Sequence, residues 1–102
     1  MMDIYNSTDI LEEVISETSI GTGIQSQLIV YNDDFNTFDW VIKCFVEVCD
    51  HSAEQAEQLS LIVHYKGKAI VKTAPMDVLK PMKDSLVERG LSAVIESVKE
   101  QD

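Results

Sequence analysis

The chain has 102 residues, 45% of them hydrophobic and 25% charged, which fits one small domain with a sufficient but modest core. Its formal net charge is −10. That balance argues against nucleic acid as a partner, because phosphates would be repelled, and favours cationic ligands or a basic surface on another protein.

Residues 1–25 read as a flexible acidic N-terminal extension, and residues 26–102 as the core domain. The extension holds Asp3, Asp9, Glu12, Glu13 and Glu17 and no Lys or Arg, so half of the net charge lies there. Ser19-Ile20-Gly21-Thr22-Gly23 ends it with linker-like residues. Within it, Ile10, Leu11, Val14 and Ile15 share one helical face, and Asp9 with Glu12 resembles a capping box. A turn this short is unstable alone and could dock on a partner or on its own domain. The N-terminus lacks a basic region followed by an apolar stretch, so no signal peptide is expected, and no segment approaches the length of a membrane span.

Gln27 to Tyr31 reads as a strand, and Asn32 to Phe35 as a polar turn. Asn36 or Thr37 then caps a helix that stops near Asp50, with Asp39 in its first turn, where a negative charge suits the helix dipole. Trp40, Val41, Cys44, Phe45 and Val48 form its apolar stripe. Ser52-Ala53-Glu54-Gln55 is a capping box for a second helix, on which Ala56, Leu59, Ser60 and Val63 share one side, with Ser60 a polar gap. Gly67 ends it, and Lys68 to Thr73 alternates as a strand. Pro75 fits the first position of a third helix, with Val78, Met82 and Leu86 on one face and Gly90 as the stop. Pro81 lacks a donor and clashes with the preceding turn, so either it kinks that helix or the main helix starts at Lys80-Pro81. Leu91 to Val98 is a last strand. The order predicts an α+β fold, a mainly antiparallel three-stranded sheet with three helices packed on one face.

Cys44 and Cys49 lie five apart on one helix, so their side chains diverge and a disulfide between them is not expected. With two histidines in no recognised spacing they make a weak metal signal, and the favoured reading is reduced thiols in a cytoplasmic protein. Asp33-Asp34 could be an acid/base pair, since repulsion raises one carboxyl pKa, but adjacent turn residues usually point apart and turn chemistry is the favoured reading. His64 ends the run Leu61-Ile62-Val63, where a histidine is most often a partly buried structural residue. No nucleophile elbow accompanies it. His51, in the interhelix turn, is expected to be solvated. Lys66 and Lys68 flank a glycine without the P-loop pattern and read as a solvated corner. Phe38, Val41, Val63 and Leu91 are by default core, unless they leave a pocket open beside Asn32, Asp33 and His64.

Asn32-Asp33-Asp34, the helix from Thr37 to Val48, and Val63-His64-Tyr65-Lys66-Gly67-Lys68-Ala69 together closely resemble the ClpS family, adaptors of the bacterial Clp protease. The resemblance covers roughly residues 27 to 98 and is strongest through Ala69. It implies a protein that is not an enzyme, has no catalytic residues and carries no cofactor or metal. It implies binding of substrates whose N-terminal residue is Leu, Phe, Tyr or Trp, and delivery to the N-terminal domain of a hexameric AAA+ unfoldase, ClpA or ClpC, for degradation by ClpP. Carried over, Asn32, Asp33 and His64 hold the free α-amino group, with Asp34 and Asn36 as nearby polar groups. Phe38, Val41, Ser60, Val63 and Leu91 line the pocket for the first side chain. A protonated amine has three donors, and an amide oxygen, a carboxylate and a neutral imidazole nitrogen can meet them.

The chain departs from the family at several positions. Asn36 stands where the family often has Thr, Thr37 where it often has Pro, and Phe38 and Ser60 where it often has Met. A serine leaves a roomier, more polar wall and Phe38 adds bulk opposite, so side-chain preference is expected to shift toward larger aromatics or looser choice. For docking on the unfoldase, Asp77 matches a family acidic residue, and Met82 falls where a lysine is often found, with Lys83 beside it. Two other readings compete. A docking module resembling the C-terminal domain of the ribosomal stalk protein would share the architecture without needing the Asn32-Asp33 and His64 pairing. A small hydrolase using Asp33, Asp34 and His64 would show turnover and a histidine-set pH profile. Nothing in the sequence points to oligomers, so a monomer is expected.

Overall fold

The computed structural model describes residues 24–98, so all but the last two residues of the acidic extension, its Asp9–Ile15 segment included, lie outside the described residues. The elements are β1 (Ser26–Tyr31), α1 (Phe38–Cys49), α2 (Ala53–Lys66), β2 (Lys68–Ala74), α3 (Met76–Glu88) and β3 (Ser92–Ser97). The sheet order is β2-β1-β3, with β1 antiparallel to both neighbours. The α+β architecture read from the sequence is therefore present. Pairing runs from Ser26↔Ser97 to Tyr31↔Ser92 on one side of β1, and the Gln25 carbonyl accepts from the Val98 N–H just ahead of the strand.

Position in the sheet explains the strand patterns. Central β1 buries Leu28, Ile29 and Val30 in succession, whereas edge strand β2 alternates, burying Ala69 and Val71 and exposing Lys68 and Ile70. The helix-facing side chains meet Cys44, Phe45 and Cys49 of α1, Ala56, Leu59 and Val63 of α2, and Leu79 and Leu86 of α3 in one core. Phe45, Leu28, Leu79 and Leu86 are fully buried, each contributing about 1.5–3 kcal/mol of apolar burial.

Local chemistry sets the helix ends. Thr37 Oγ1 accepts from the Trp40 N–H, so Thr37 and not Asn36 is the cap of α1. Ser52 Oγ accepts from the Gln55 N–H to start α2. Gly67 closes α2 in the left-handed conformation, at φ 93°, which favours glycine. Pro75 sits at the cap of α3 rather than inside it, and α3 continues through Pro81 as one helix. Its buried face carries Leu79 and Leu86, while Val78 is exposed; the expected Val78–Met82–Leu86 stripe is out of phase at its first residue. His51 is half-buried, and its Nε2 donates to the Val71 carbonyl at 2.6 Å, so it is not the solvated turn residue expected. Val71 stands at the β-bulge opposite Leu28 and Ile29, which no sequence pattern marks.

Candidate functional site

A cavity of about 440 Å³ opens between the turn after β1, the start of α1 and the last two turns of α2. Three pieces of local structure build it. The Asn32 N–H donates to the Gly67 carbonyl at 2.9 Å, one step beyond the Tyr31↔Lys68 pair. This bond fixes the polar turn against the end of α2. The turn itself is closed by Asp33, whose Oδ1 accepts from the Phe35 and Asn36 N–H groups, both at 2.8 Å. The Asn36 side chain then joins Asp33 Oδ2 at 2.8 Å to the Gly90 carbonyl at 2.9 Å, locking the turn onto the connection between α3 and β3.

This geometry decides the state of Asp33. Burial pushes its carboxyl pKa up, but the two backbone N–H groups and the Asn36 amide more than offset that and hold it below the usual value. An acid/base carboxylate pair needs the opposite, one carboxyl held protonated by its neighbour. Asp33 is instead a fixed anion at the cavity mouth. Asn32 and His64 are exposed there, and neither is engaged in a side-chain hydrogen bond to another described residue. The His64 ring meets Tyr65 edge-on, at 4.8 Å between centroids.

Below this polar mouth the wall is apolar. Phe38 and Val41, one turn apart on α1, face Ser60 and Val63 of α2 across the cavity. Ser60 is 2% exposed, and its Oγ is the sole buried side-chain polar atom without a hydrogen-bond partner among the described residues. A helical serine commonly bonds back to the carbonyl four residues earlier; here it does not.

The structure thus brings Asn32, Asp33, Asp34, Asn36 and His64 together with Phe38, Val41, Ser60 and Val63 around one space. Leu91 is not on its wall. Its N–H donates to the Leu86 carbonyl at 3.0 Å, and its side chain is buried in the core. Leu61 and Tyr65 line the cavity and escaped the sequence reading. They stand four apart on the helix flank beside Ser60 and His64, so the spacing of those two was the available signal. Asp77 and Lys83 lie away from this cavity, on α3. Asp77 is exposed in the first turn; Lys83 pairs with Asp84 at 3.2 Å and lines a shallow groove toward β3. Among the described residues no cluster of His, Cys, Asp and Glu could hold a metal, and no helix is long and apolar enough to cross a membrane.

Residues 24–94 match the family described as ATP-dependent Clp protease adaptor protein ClpS. The ATP-dependent Clp protease adapter protein ClpS of Thermosynechococcus vestitus is 36% identical over 67 residues, 65% of this chain and 71% of that protein. Its counterpart from Neisseria meningitidis serogroup A is 29% identical over 77 residues, 70% of this chain and 75% of that protein. Agrobacterium tumefaciens ClpS2, solved bound to L-phenylalaninamide, shares the fold with a TM-score of 0.65 and 21% identity, over 74% of this chain and 98% of that one.

Proposed function

Because this chain belongs to the ClpS family of Clp protease adaptors, we propose that its cavity binds the free N-terminal residue of substrate proteins and that the domain delivers them to a Clp AAA+ unfoldase. The observation that carries the reading is the layering of the cavity: uncommitted acceptors on Asn32 and His64 beside the Asp33 anion, above the apolar wall of Phe38, Val41 and Val63. An N-terminal residue has the matching halves, a cation with three donors and a side chain beside it. L-phenylalaninamide, the ligand named for the Agrobacterium protein, is a molecule of that kind.

The energetics suit an adaptor that must also let go. Charge-assisted hydrogen bonds contribute about 1.5–3 kcal/mol each and a buried Leu or Phe side chain about 1.5–3 kcal/mol. Less the cost of association, the sum corresponds to micromolar binding or a little tighter. Fluorescence anisotropy of one labelled peptide in three versions tests the reading: Leu first, Ser first, and Leu first but acetylated. Only the free Leu peptide should bind. Equal or absent binding of all three would leave a docking module of the same fold.

We assign delivery to α3. Asp77 and Lys83 are the groups through which it would meet the N-terminal domain of a ClpA- or ClpC-type unfoldase in the bacterial cytoplasm, with the adaptor acting as a monomer. Reversing Asp77 to Lys should weaken co-migration with that domain while leaving peptide affinity unchanged. Loss of both together would tie the two functions to one surface and count against the assignment.

A further inference from the structure

We propose that Asn36 is a positioning residue for recognition of the amine, its side-chain amide fixing the direction of the one acceptor site left open on Asp33. This rests on the reading of the cavity as an N-terminal-residue pocket and adds to it a residue that acts through another.

The starting point is how the acceptor sites of Asp33 are filled. An ionised carboxyl has two oxygens and about four lone-pair sites. Both sites of Oδ1 are taken, by the Phe35 and Asn36 N–H groups, each at 2.8 Å. Oδ2 accepts from Asn36 Nδ2 at 2.8 Å and has no other partner among the described residues, so one site stays open. Asp33 lines the cavity, and that site is what its carboxylate can offer a bound amine. Asn36 holds the oxygen that carries it.

The amide of Asn36 lies between two acceptors, Asp33 Oδ2 and the Gly90 carbonyl, the latter at 2.9 Å. Neither can donate, so the NH₂ group faces both and its two hydrogens are both engaged. The Gly90 end is itself held. Gly90 adopts φ 95°, and its N–H donates to the Val87 carbonyl at 2.9 Å. The preceding carbonyl, that of Arg89, accepts from Trp40 Nε1 at 3.0 Å. The amide is thus a strut from the close of α3 to Oδ2. The bridge requires two donors on one plane. A threonine hydroxyl has one donor and can serve one end only.

The size of the effect follows from what remains without the strut. Asp33 keeps its two backbone bonds through Oδ1, so the turn stays closed and the negative charge stays in place. What is lost is direction. The terminal torsion of a carboxyl is broad, so Oδ2 is released to swing about the Cβ–Cγ bond. A hydrogen bond weakens steeply as its angle departs from linear, and the regained freedom must be given up again on binding. Affinity for a free amine should fall about five- to tenfold, less than removing the carboxylate would cost.

The test measures free and acetylated Leu-first peptides by fluorescence anisotropy on the full-length wild type, Asn36→Leu, Asn36→Thr, Asp33→Ser and the double variant. Asn36→Leu keeps the shape of the side chain without its donors and should weaken the free peptide about five- to tenfold. Asn36→Thr, with one donor, should recover part of that loss. Asp33→Ser removes the carboxylate but leaves an oxygen to close the turn. In that background Asn36→Leu should shift affinity by less than about twofold, because nothing is left to position. A purely structural role would give the same loss in both backgrounds. A thermal melt shows that each variant is folded in the assay, and Asn36→Ala stands in for Asn36→Leu should the apolar side chain not be accepted. Equal losses in both backgrounds, no loss in either, or wild-type affinity in Asp33→Ser overturns this inference and leaves N-terminal recognition standing. A wild type that binds the acetylated peptide as tightly as the free one overturns both.

Discussion

Asn32 and Gly67, thirty-five positions apart, are joined by a backbone hydrogen bond of 2.9 Å from the Asn32 N–H to the Gly67 carbonyl. The same Gly67 donates its own N–H to the Val63 carbonyl at 3.0 Å, closing α2. One residue thus ends the helix that carries Ser60 and His64 and anchors the turn that carries Asn32 and Asp33. Its φ of 93° is the reason it is glycine. No atom lies within 4 Å of a Cβ built there, so Gly67→Ala meets no clash and costs conformational strain alone, roughly 1–2 kcal/mol. Gly67→Asn, which tolerates the left-handed region better, should cost less. Urea unfolding followed by the fluorescence of Trp40, the chain's single tryptophan, measures both. Equal costs for Ala and Asn would contradict the conformational account.

The groups proposed to hold the amine should be separable from the fold. Asn32 and His64 are exposed and make no side-chain hydrogen bond to another described residue, so replacing either by Ala should leave the melting temperature within a degree or two. Under the proposed reading each would lose one charge-assisted bond to the ligand, which predicts a fall in affinity of about ten- to a hundredfold. Acetylating the peptide removes the charge and most of the donors at once and should cost at least as much. If His64→Ala bound the free and acetylated peptides as the wild type does, the imidazole would have no part in reading the amine.

Asp33 predicts a pH dependence with a definite sign. Burial raises its pKa, but the Asn36 and Phe35 N–H groups and the Asn36 amide outweigh that, so its folded value lies below the unfolded 3.8. A carboxyl shifted in this direction adds stability that is fully present above the unfolded value and is lost as pH falls through the folded one. Wild type should therefore lose stability below about pH 4 more steeply than Asp33→Asn, which has no charge there to neutralise. Urea midpoints at pH 7 and pH 3 for the two proteins give the comparison. Parallel acid limbs would mean that the three bonds to Asp33 do not survive in solution.

What the sequence reveals and what it hides follow from the range of each interaction. Thr37, Ser52 and Gly67 act on residues within four positions, so their capping roles are readable from local composition. Asn32, Asp33 and His64, which line one cavity, were legible as a candidate site only through two motifs and their spacing. Asp33 engages Asn36 three positions on, within local range, whereas the bond from Asn36 to Gly90 spans fifty-four positions and leaves no local trace. Leu91 and Val78 were misplaced for a related reason. Val78 sits in the first turn of α3 and Leu91 just past its end, where neighbouring elements decide which face is covered, and Pro81 blurs the period of the helix between them. His51 bonds the carbonyl of a bulged residue, and bulges are not written in alternation patterns.

The two thiols should be inert while the chain is folded. Cys44 and Cys49 are free and have no exposed surface. Burial pushes the Cys49 pKa up to about 11, and burial likewise raises that of Cys44 despite the nearby Arg89. The thiolate is the reactive form, so almost none is present at neutral pH. A thiol reagent should react slowly with native protein and at once with both cysteines in denaturant. Rapid native reaction of either one would show that α1 opens locally far more readily than its packing implies.

Pro81 lies five residues after the start of α3, past the first turn where proline is tolerated, yet the helix runs unbroken from Met76 to Glu88. Lacking an N–H, Pro81 cannot donate to the Asp77 carbonyl one turn earlier. Pro81→Ala supplies that donor and relieves the ring's clash, gains worth up to about 3 kcal/mol. Against this, the unfolded chain regains about 0.4–1 kcal/mol of conformational freedom. The net should be a stabilisation of roughly 1–2 kcal/mol. Urea midpoints check it, with peptide affinity unchanged because α3 contributes no residue to the cavity wall. A neutral or destabilising result would mean that the proline is packed in a way that compensates its missing bond, and that the course of α3 past Lys80 depends on it.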